Sequence, residues 1–293
     1  MKKTLITRTV LILFASIPIT VRRFLFQSVL MLLYHLSQKH RAITLHNLMC
    51  AFPEKGLSEI TRIAKGVYLN LGNTLAEFFE IPFLTPDNMR HWVEFEGLEH
   101  YERALSKGKG ILFYTAHFGN WELGGVCVGL QNIRVHVIYR ALDNLVLENF
   151  VAWFRSHTGH KVIPKGGASK KIVELLKENE TIGVLIDQNV SWREGVFVDF
   201  FGRPASTTKR FAALALQTGA AVVPIFITKQ PDGKYKIVIK KEVAIIKTGN
   251  HETDLFQNTQ KFTDIIEDIV RKYPDQYFWL HQRWKTKKTQ IEG

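Results

Sequence analysis

From residue 111 to residue 271, short apolar runs alternate with amphipathic segments of helical period, and this alternation constrains the fold more than any other feature. Residues 111–116, 133–139, 181–186, 196–200, 221–228 and 234–246 read as strands; the turn Pro231-Asp232-Gly233 separates the last two. Residues 121–130, 144–157, 169–179, 207–218 and 254–271 read as helices. Gly219 caps the fourth helix, and Phe262, Ile265, Ile266 and Ile269 share one side of the fifth. Upstream, Ile60, Ile63, Val67, Leu71, Leu75 and Phe78 form a stripe on a helix over 58–80, which Pro82 and Pro86 end. Strands interleaved with helices predict a single α/β sandwich around a mostly parallel, mixed sheet. A chain of 293 residues that is 46% apolar can supply its core. We place this catalytic-sized domain at 41–293.

Residues 1–40 differ in character. Two apolar runs, 10–21 and 24–36, are interrupted by Arg22 and Arg23. Neither run reaches the roughly 20 residues of a spanning helix. Lys2, Lys3, Arg8, Lys39 and Arg41 flank them, and the arginine pair can snorkel. The pattern reads as a hydrophobic membrane-anchor region on the cytoplasmic side of a membrane, spanning or interfacial. A cleaved signal peptide is the competing reading. Against it, no small-x-small site precedes Arg22, and a second apolar segment follows at once.

In open α/β sheets, sites collect beyond the carboxyl ends of the strands. His117 follows one such end, Arg140 a second, and Asp187 with Gln188 a third. The first opens His117-Phe118-Gly119-Asn120-Trp121-Glu122, a histidine and a carboxylate flanking a turn at Gly119, with Asn120 as N-cap of the following helix. Glu122 falls in the first turn of that helix, where the dipole favours its charge. A histidine there can accept a proton from a hydroxyl near neutral pH, and a carboxylate can orient it. The spacing recurs at His91 to Glu96, but that copy alternates like an exposed or edge strand and carries no such setting. Asp187 is read either as a site residue or as a brace for its loop.

The net charge of +12 implies an anionic partner. No zinc-finger spacing, RNA-recognition signature or basic zipper supports nucleic acid. Arg155, Lys161 and Lys165 form a basic stretch suited to phosphates, or else a solvated charged face. Phe200, Phe201 and neighbouring aromatics could line an acyl groove. The two cysteines, Cys50 and Cys127, read as buried free thiols in a reducing compartment, with no nucleophile among them.

Assembled in this order, the residues resemble those of the lipid A biosynthesis acyltransferases, the lauroyl/myristoyl family of Gram-negative bacteria. The resemblance runs from the N-terminal region to about Lys288. It rests on the box from His117 to Glu122, on Tyr139-Arg140, Asp187-Gln188, Val198-Asp199-Phe200-Phe201-Gly202 and Thr207, and on Pro224, Asp232-Gly233 and Gln276-Tyr277-Phe278-Trp279-Leu280-His281. The chain departs from the family at Ala116, where Asn is usual, and at His281-Gln282-Arg283, where His-Arg-Arg is usual. Glu122 stands where the glycerolipid acyltransferases carry Asp.

The resemblance implies transfer of a fatty acyl chain from acyl carrier protein to a hydroxyl of an anionic lipid A precursor, at the cytoplasmic face of the cell inner membrane. His117 would be general base and Glu122 its orienter, without metal or cofactor. Arg140, Arg155, Lys165, Asp187 and Gln188 would bind substrate, and the amides near Gly119 and Asn120, or Arg140, would meet the oxyanion. Alternatives are an acyl-CoA-dependent glycolipid or phospholipid acyltransferase, a thioester hydrolase, and a non-catalytic basic membrane-binding protein.

Overall fold

The apolar run after Gly110 becomes the strand around which the molecule is organised. A computed structural model describes residues 13–139, 161–164 and 168–288. In chain order the strands are β1 (Val93–Glu96), β2 (Ile111–Thr115), β3 (Val135–Tyr139), β4 (Lys161–Pro164), β5 (Thr181–Leu185), β6 (Gly195–Phe200), β7 (Arg203–Thr208), β8 (Ala221–Lys229) and β9 (Tyr235–Ile239). Seven of them form one sheet in the order β1-β9-β8-β2-β5-β3-β4, with β2 at its centre. Every pairing in that sheet is parallel except β8 with β9. The sheet is therefore mostly parallel and mixed, as the alternation predicts. β6 and β7 form a separate antiparallel hairpin.

The helices are α1 (Ile19–Leu36), α2 (Gln38–Ala51), α3 (Leu57–Phe78), α4 (Leu98–Leu105), α5 (Trp121–Leu130), α6 (Ala168–Lys177), α7 (Arg210–Thr218) and α8 (His251–Lys272). Alternate residues of the central strands feed two cores, as expected of strands covered on both faces. Leu112, Tyr114, Ile182 and Val222 join Ile63 of α3, Phe211 of α7 and Phe262 of α8. Ile111, Phe113, Val223 and Ile237 join Ala104 of α4 and Leu123, Val126 and Cys127 of α5. Both cysteines are buried and free, and burial pushes the Cys127 thiol up to about 12.

Three boundaries differ from the sequence reading. Thr207 and Thr208 extend β7, pairing with Val196 and Gly195, so α7 begins only at Arg210. The strand expected over 234–246 stops at Ile239. Lys240 donates to the carbonyl of Pro224, but proline has no N–H to return the bond, and the ladder ends there. Residues 38–51, which carry no apolar stripe in the sequence, form α2; its buried side includes Thr44 and Asn47. The helix expected over 144–157 lies outside the described residues. The decoy histidine, His91, ends a 3-10 turn (Asn88–His91), and the alternation after it is β1, an edge strand.

The N-terminal arginines do not reach outward. α1 packs along α3 with Arg22 paired to Glu80 and Arg23 to Glu77. Among the described residues, no helix is long and apolar enough to cross a membrane. α1 nonetheless leaves Val21, Leu25, Val29, Leu32 and Leu36 exposed at helical spacing, with Phe24 and Leu33 beside them.

Candidate active site

The chain leaves β2 at Thr115 and turns sharply before α5. Gly119 makes that turn: its φ is +59°, and a Cβ there would lie 2.2 Å from the carbonyl oxygen of Ile227. Only glycine satisfies both demands. Asn120 then caps α5, its side-chain oxygen accepting from the Leu123 amide at 3.1 Å. The closing segment of the chain laces the loop in place. Gly119 N–H donates to Gln276 O at 2.8 Å, and Phe278 N–H donates to His117 O at 3.0 Å. The Gln276 side chain bonds both the N–H and the C=O of Lys229, tying the same clamp to the end of β8. The block Gln276 to His281 therefore has a local reason to exist.

The imidazole of His117 points between strand ends. Its Nδ1 lies 2.8 Å from Oδ1 of Asp187, and its backbone N–H donates to Oδ2 of the same carboxylate at 3.1 Å. Asp187 follows β5, the neighbour of β2, so the parallel register places the two residues side by side. The Asp187 side chain is only 3% exposed, against 23% for His117. A buried carboxylate is an acceptor only, so Nδ1 carries the proton and Nε2 keeps its lone pair. Gln188 reaches that nitrogen, Nε2 to Nε2, at 3.4 Å. The ring sits against Trp121 and Phe278, with centroids 5.4 and 6.3 Å away.

Burial alone would lower the His117 pKa. The charge and hydrogen bond of Asp187, with the charge of Glu122 behind them, outweigh it, and the net shift is upward. Burial works to raise Asp187, but the His117 charge and hydrogen bonds hold it below the usual carboxylate range. His281, beside the site, is pushed down by burial and accepts from the Asn189 amide at 2.9 Å, so it serves as a neutral brace for the loop after Asp187. Arg283, wholly buried, donates to Ser206 O and to Thr207 and lies over Phe200.

The structure therefore redistributes the residues expected from sequence. The hydrogen bond to the imidazole comes from Asp187. Glu122 lies in the first turn of α5 and acts on the ring through its charge. Gly119 and Asn120 hold the turn, but the Gly119 N–H is committed to Gln276, so that amide is not the oxyanion donor. Phe200 and Phe201 are buried in the core, 1% and 5% exposed. Arg140, Arg155 and Lys165 lie outside the described residues, as does the side chain of Lys161.

Sequence reasoning missed Glu77. Its side chain is fully buried near the end of α3. Oε1 pairs with Arg23 at 2.9 Å and Lys229 at 3.4 Å; Oε2 accepts from Tyr235 at 2.6 Å and from Asn120 at 2.8 Å. One carboxylate thus joins α1, β8, β9 and the N-cap of α5. The signal was present: Thr74 and Glu77 continue the helical spacing of Ile60, Ile63 and Val67, and a charge in such a stripe needs partners. Glu77→Ala leaves two cations without their counter-ion and should cost about 3–5 kcal/mol of stability, read as a lowered denaturation midpoint.

Between α5 and the sheet lies a cavity whose lining includes Trp121, the ring packed against the imidazole. Its lining includes Trp121, Glu122, Gly125, Val128, Val135 and Ile227, and Glu122 is the only charged side chain among its described lining residues. An apolar cavity that adjoins Trp121, and through it the histidine, suits a hydrocarbon whose polar end reacts at His117.

Residues 3–286 match the family described as bacterial lipid A biosynthesis acyltransferase. Among curated proteins, the chain is 29% identical over 252 residues to a lipid A biosynthesis lauroyltransferase of Escherichia coli strain K12, covering 85% of this chain and 80% of that one. It is 26% identical, with the same coverage, to a lipid A biosynthesis palmitoleoyltransferase of the same strain. A phosphatidylinositol mannoside acyltransferase of Mycolicibacterium smegmatis is 27% identical over 214 residues, 71% of this chain and 67% of that protein. The match over nearly the whole length, joined to the ordered blocks around His117, Asp187 and Gln276, establishes that this chain is an acyltransferase belonging to the bacterial lipid A biosynthesis acyltransferase family.

Proposed function

We propose that the protein transfers a fatty acyl chain from the thioester of acyl carrier protein to a hydroxyl of a lipid A precursor, with His117 as general base. The observation that carries this reading is the Asp187–His117 pair, packed on Trp121, which also lines an apolar cavity. His117 Nε2 removes the acceptor proton as the hydroxyl oxygen attacks the thioester carbonyl carbon. The tetrahedral intermediate collapses, the C–S bond breaks, and the departing thiolate takes the proton back from the imidazolium. Asp187 fixes the tautomer and stabilises the cation, and Glu122 adds a second negative charge nearby. The side-chain amide of Gln188, 3.4 Å from Nε2 of His117, would turn to the oxyanion as donor. Asp187 thus takes the orienting role that spacing assigns to Glu122. Arg140, Arg155 and Lys165 remain proposed contacts for the anionic acceptor or the donor's phosphopantetheine arm.

The acceptor class rests on the names of the lauroyl and palmitoleoyl relatives, and the mannoside relative leaves another glycolipid as the competing acceptor. Donor and acceptor are tested together by assaying acyl carrier protein and coenzyme A thioesters side by side with a lipid A precursor. Turnover with the first donor and little with the second supports the reading; the reverse replaces the donor.

We also propose that α1 lies in the interface of the inner membrane on its cytoplasmic face, since its exposed leucines and valines share one side. Leu32→Glu should then reduce co-flotation with vesicles of mixed neutral and anionic phospholipid. Unchanged flotation would remove α1 from that role.

A further inference from the structure

Three glycines interrupt the ten residues of α5, against the helical preference of nearly every other residue type. A helix that violates its own propensity beside a site has a reason that is not local. For Gly124 the reason is packing, because a Cβ there would lie 3.1 Å from the Ile227 side chain. Gly125 is different. A Cβ built on it meets nothing within 4 Å, although the residue lies mid-helix and lines the cavity. No close approach and no positive φ demands glycine here. What the missing side chain leaves is room.

That room has a definite place. The cavity follows α5 from Trp121 and Glu122 at the His117 end to Val128, seven residues or about 10 Å along the axis. Gly125 lies one turn along from Trp121, between the end that adjoins His117 and the lining residues Val128 and Val135. A side chain at this position would project into the bore partway along. Glu122 at the His117 end is unsuited to a hydrocarbon, whereas the lining from Gly125 onward includes valines, phenylalanine and glycine.

We infer that Gly125 is a specificity-determining residue, which keeps the inner half of the cavity open and so sets how long an acyl chain the enzyme accepts. The inference rests on the acyl-transfer reading above and deepens it. The ligand is the hydrocarbon of the donor, entering with its thioester at His117 and its methyl end toward Val128 and Val135.

The test is a competition among acyl carrier protein thioesters from octanoyl to palmitoyl, with a lipid A precursor as acceptor. It compares the wild type with Gly125→Ala, Gly125→Val and Gly125→Leu. The preferred donor should shorten stepwise as the side chain grows. For Gly125→Leu, the ratio of kcat/KM for the longest donor the wild type uses to that for a shorter one should fall at least about tenfold, since each methylene that no longer fits is strongly discriminated. Gly125→Ala should melt at or above the wild-type temperature, so even if Gly125→Leu folds poorly, the smaller variant still reports. A donor profile that does not move across the folded variants overturns the inference and leaves the acyl-transfer reading standing. No transfer by the wild type from any of these donors overturns that reading itself.

Discussion

His117→Ala should lower acyl transfer by at least about 100-fold while the protein remains folded. The loss follows from geometry. Nε2 is the lone pair left after Nδ1 is engaged by Asp187, and the described side chain it meets is the amide of Gln188, at 3.4 Å. The fold should survive because the elements that hold the loop do not run through the ring. Gly119 bonds Gln276, Asn120 caps α5, and Phe278 bonds the backbone of His117, all of which the alanine variant keeps. Steady-state rates with a matched circular dichroism spectrum check this. His91→Ala is the internal control: it removes a histidine with the same five-residue spacing to a carboxylate, from an exposed 3-10 turn, and should be almost silent. Near wild-type transfer by His117→Ala would end the general-base account.

Asp187→Asn should be the second most damaging change, with a loss of about 100-fold or more. It also carries a pH signature that a merely structural brace would lack. A general base works when unprotonated. The folded-state pKa of His117 lies above its ordinary value of 6.5, so the acid limb of kcat/KM should fall above that pH in the wild type. Asp187 contributes the leading upward effects, through its charge and its hydrogen bond, so the asparagine variant should move the limb to lower pH. Glu122→Gln should move it in the same direction by less, because Glu122 acts only as a more distant charge. An acid limb unmoved by Asp187→Asn would separate this carboxylate from the titration of the base.

Much of this arrangement was legible in the sequence, for identifiable reasons. Continuous apolar runs announced the buried parallel strands. The box from His117 to Glu122 announced a strand end, a turn and a capped helix, and the structure has all three. What spacing cannot reveal is which carboxylate touches the ring. Glu122 is near in sequence, in the first turn of α5, but it reaches the ring only as a charge that ranks behind Asp187. Asp187, seventy residues away, arrives through the pairing of β2 with β5. Register across a sheet is a tertiary fact. Glu77 was hidden for a related reason, since its five elements meet only after folding, although a carboxylate within an apolar stripe marked it. Arg22 and Arg23 read as residues that reach outward to headgroups, and their partners, Glu80 just past α3 and Glu77 on it, turned them toward the protein.

The central claim is direct transfer: the acceptor hydroxyl attacks the thioester itself, with the chain supplying a base and no covalent nucleophile. The most direct measurement mixes the wild-type protein with an acyl carrier protein thioester, with and without a lipid A precursor, and follows the masses of acceptor and protein. The account predicts an acceptor heavier by one acyl group, formed only when both substrates are present, and a protein of unchanged mass throughout. Thioester cleavage at the same rate without the acceptor, or an acylated protein in its absence, would contradict it.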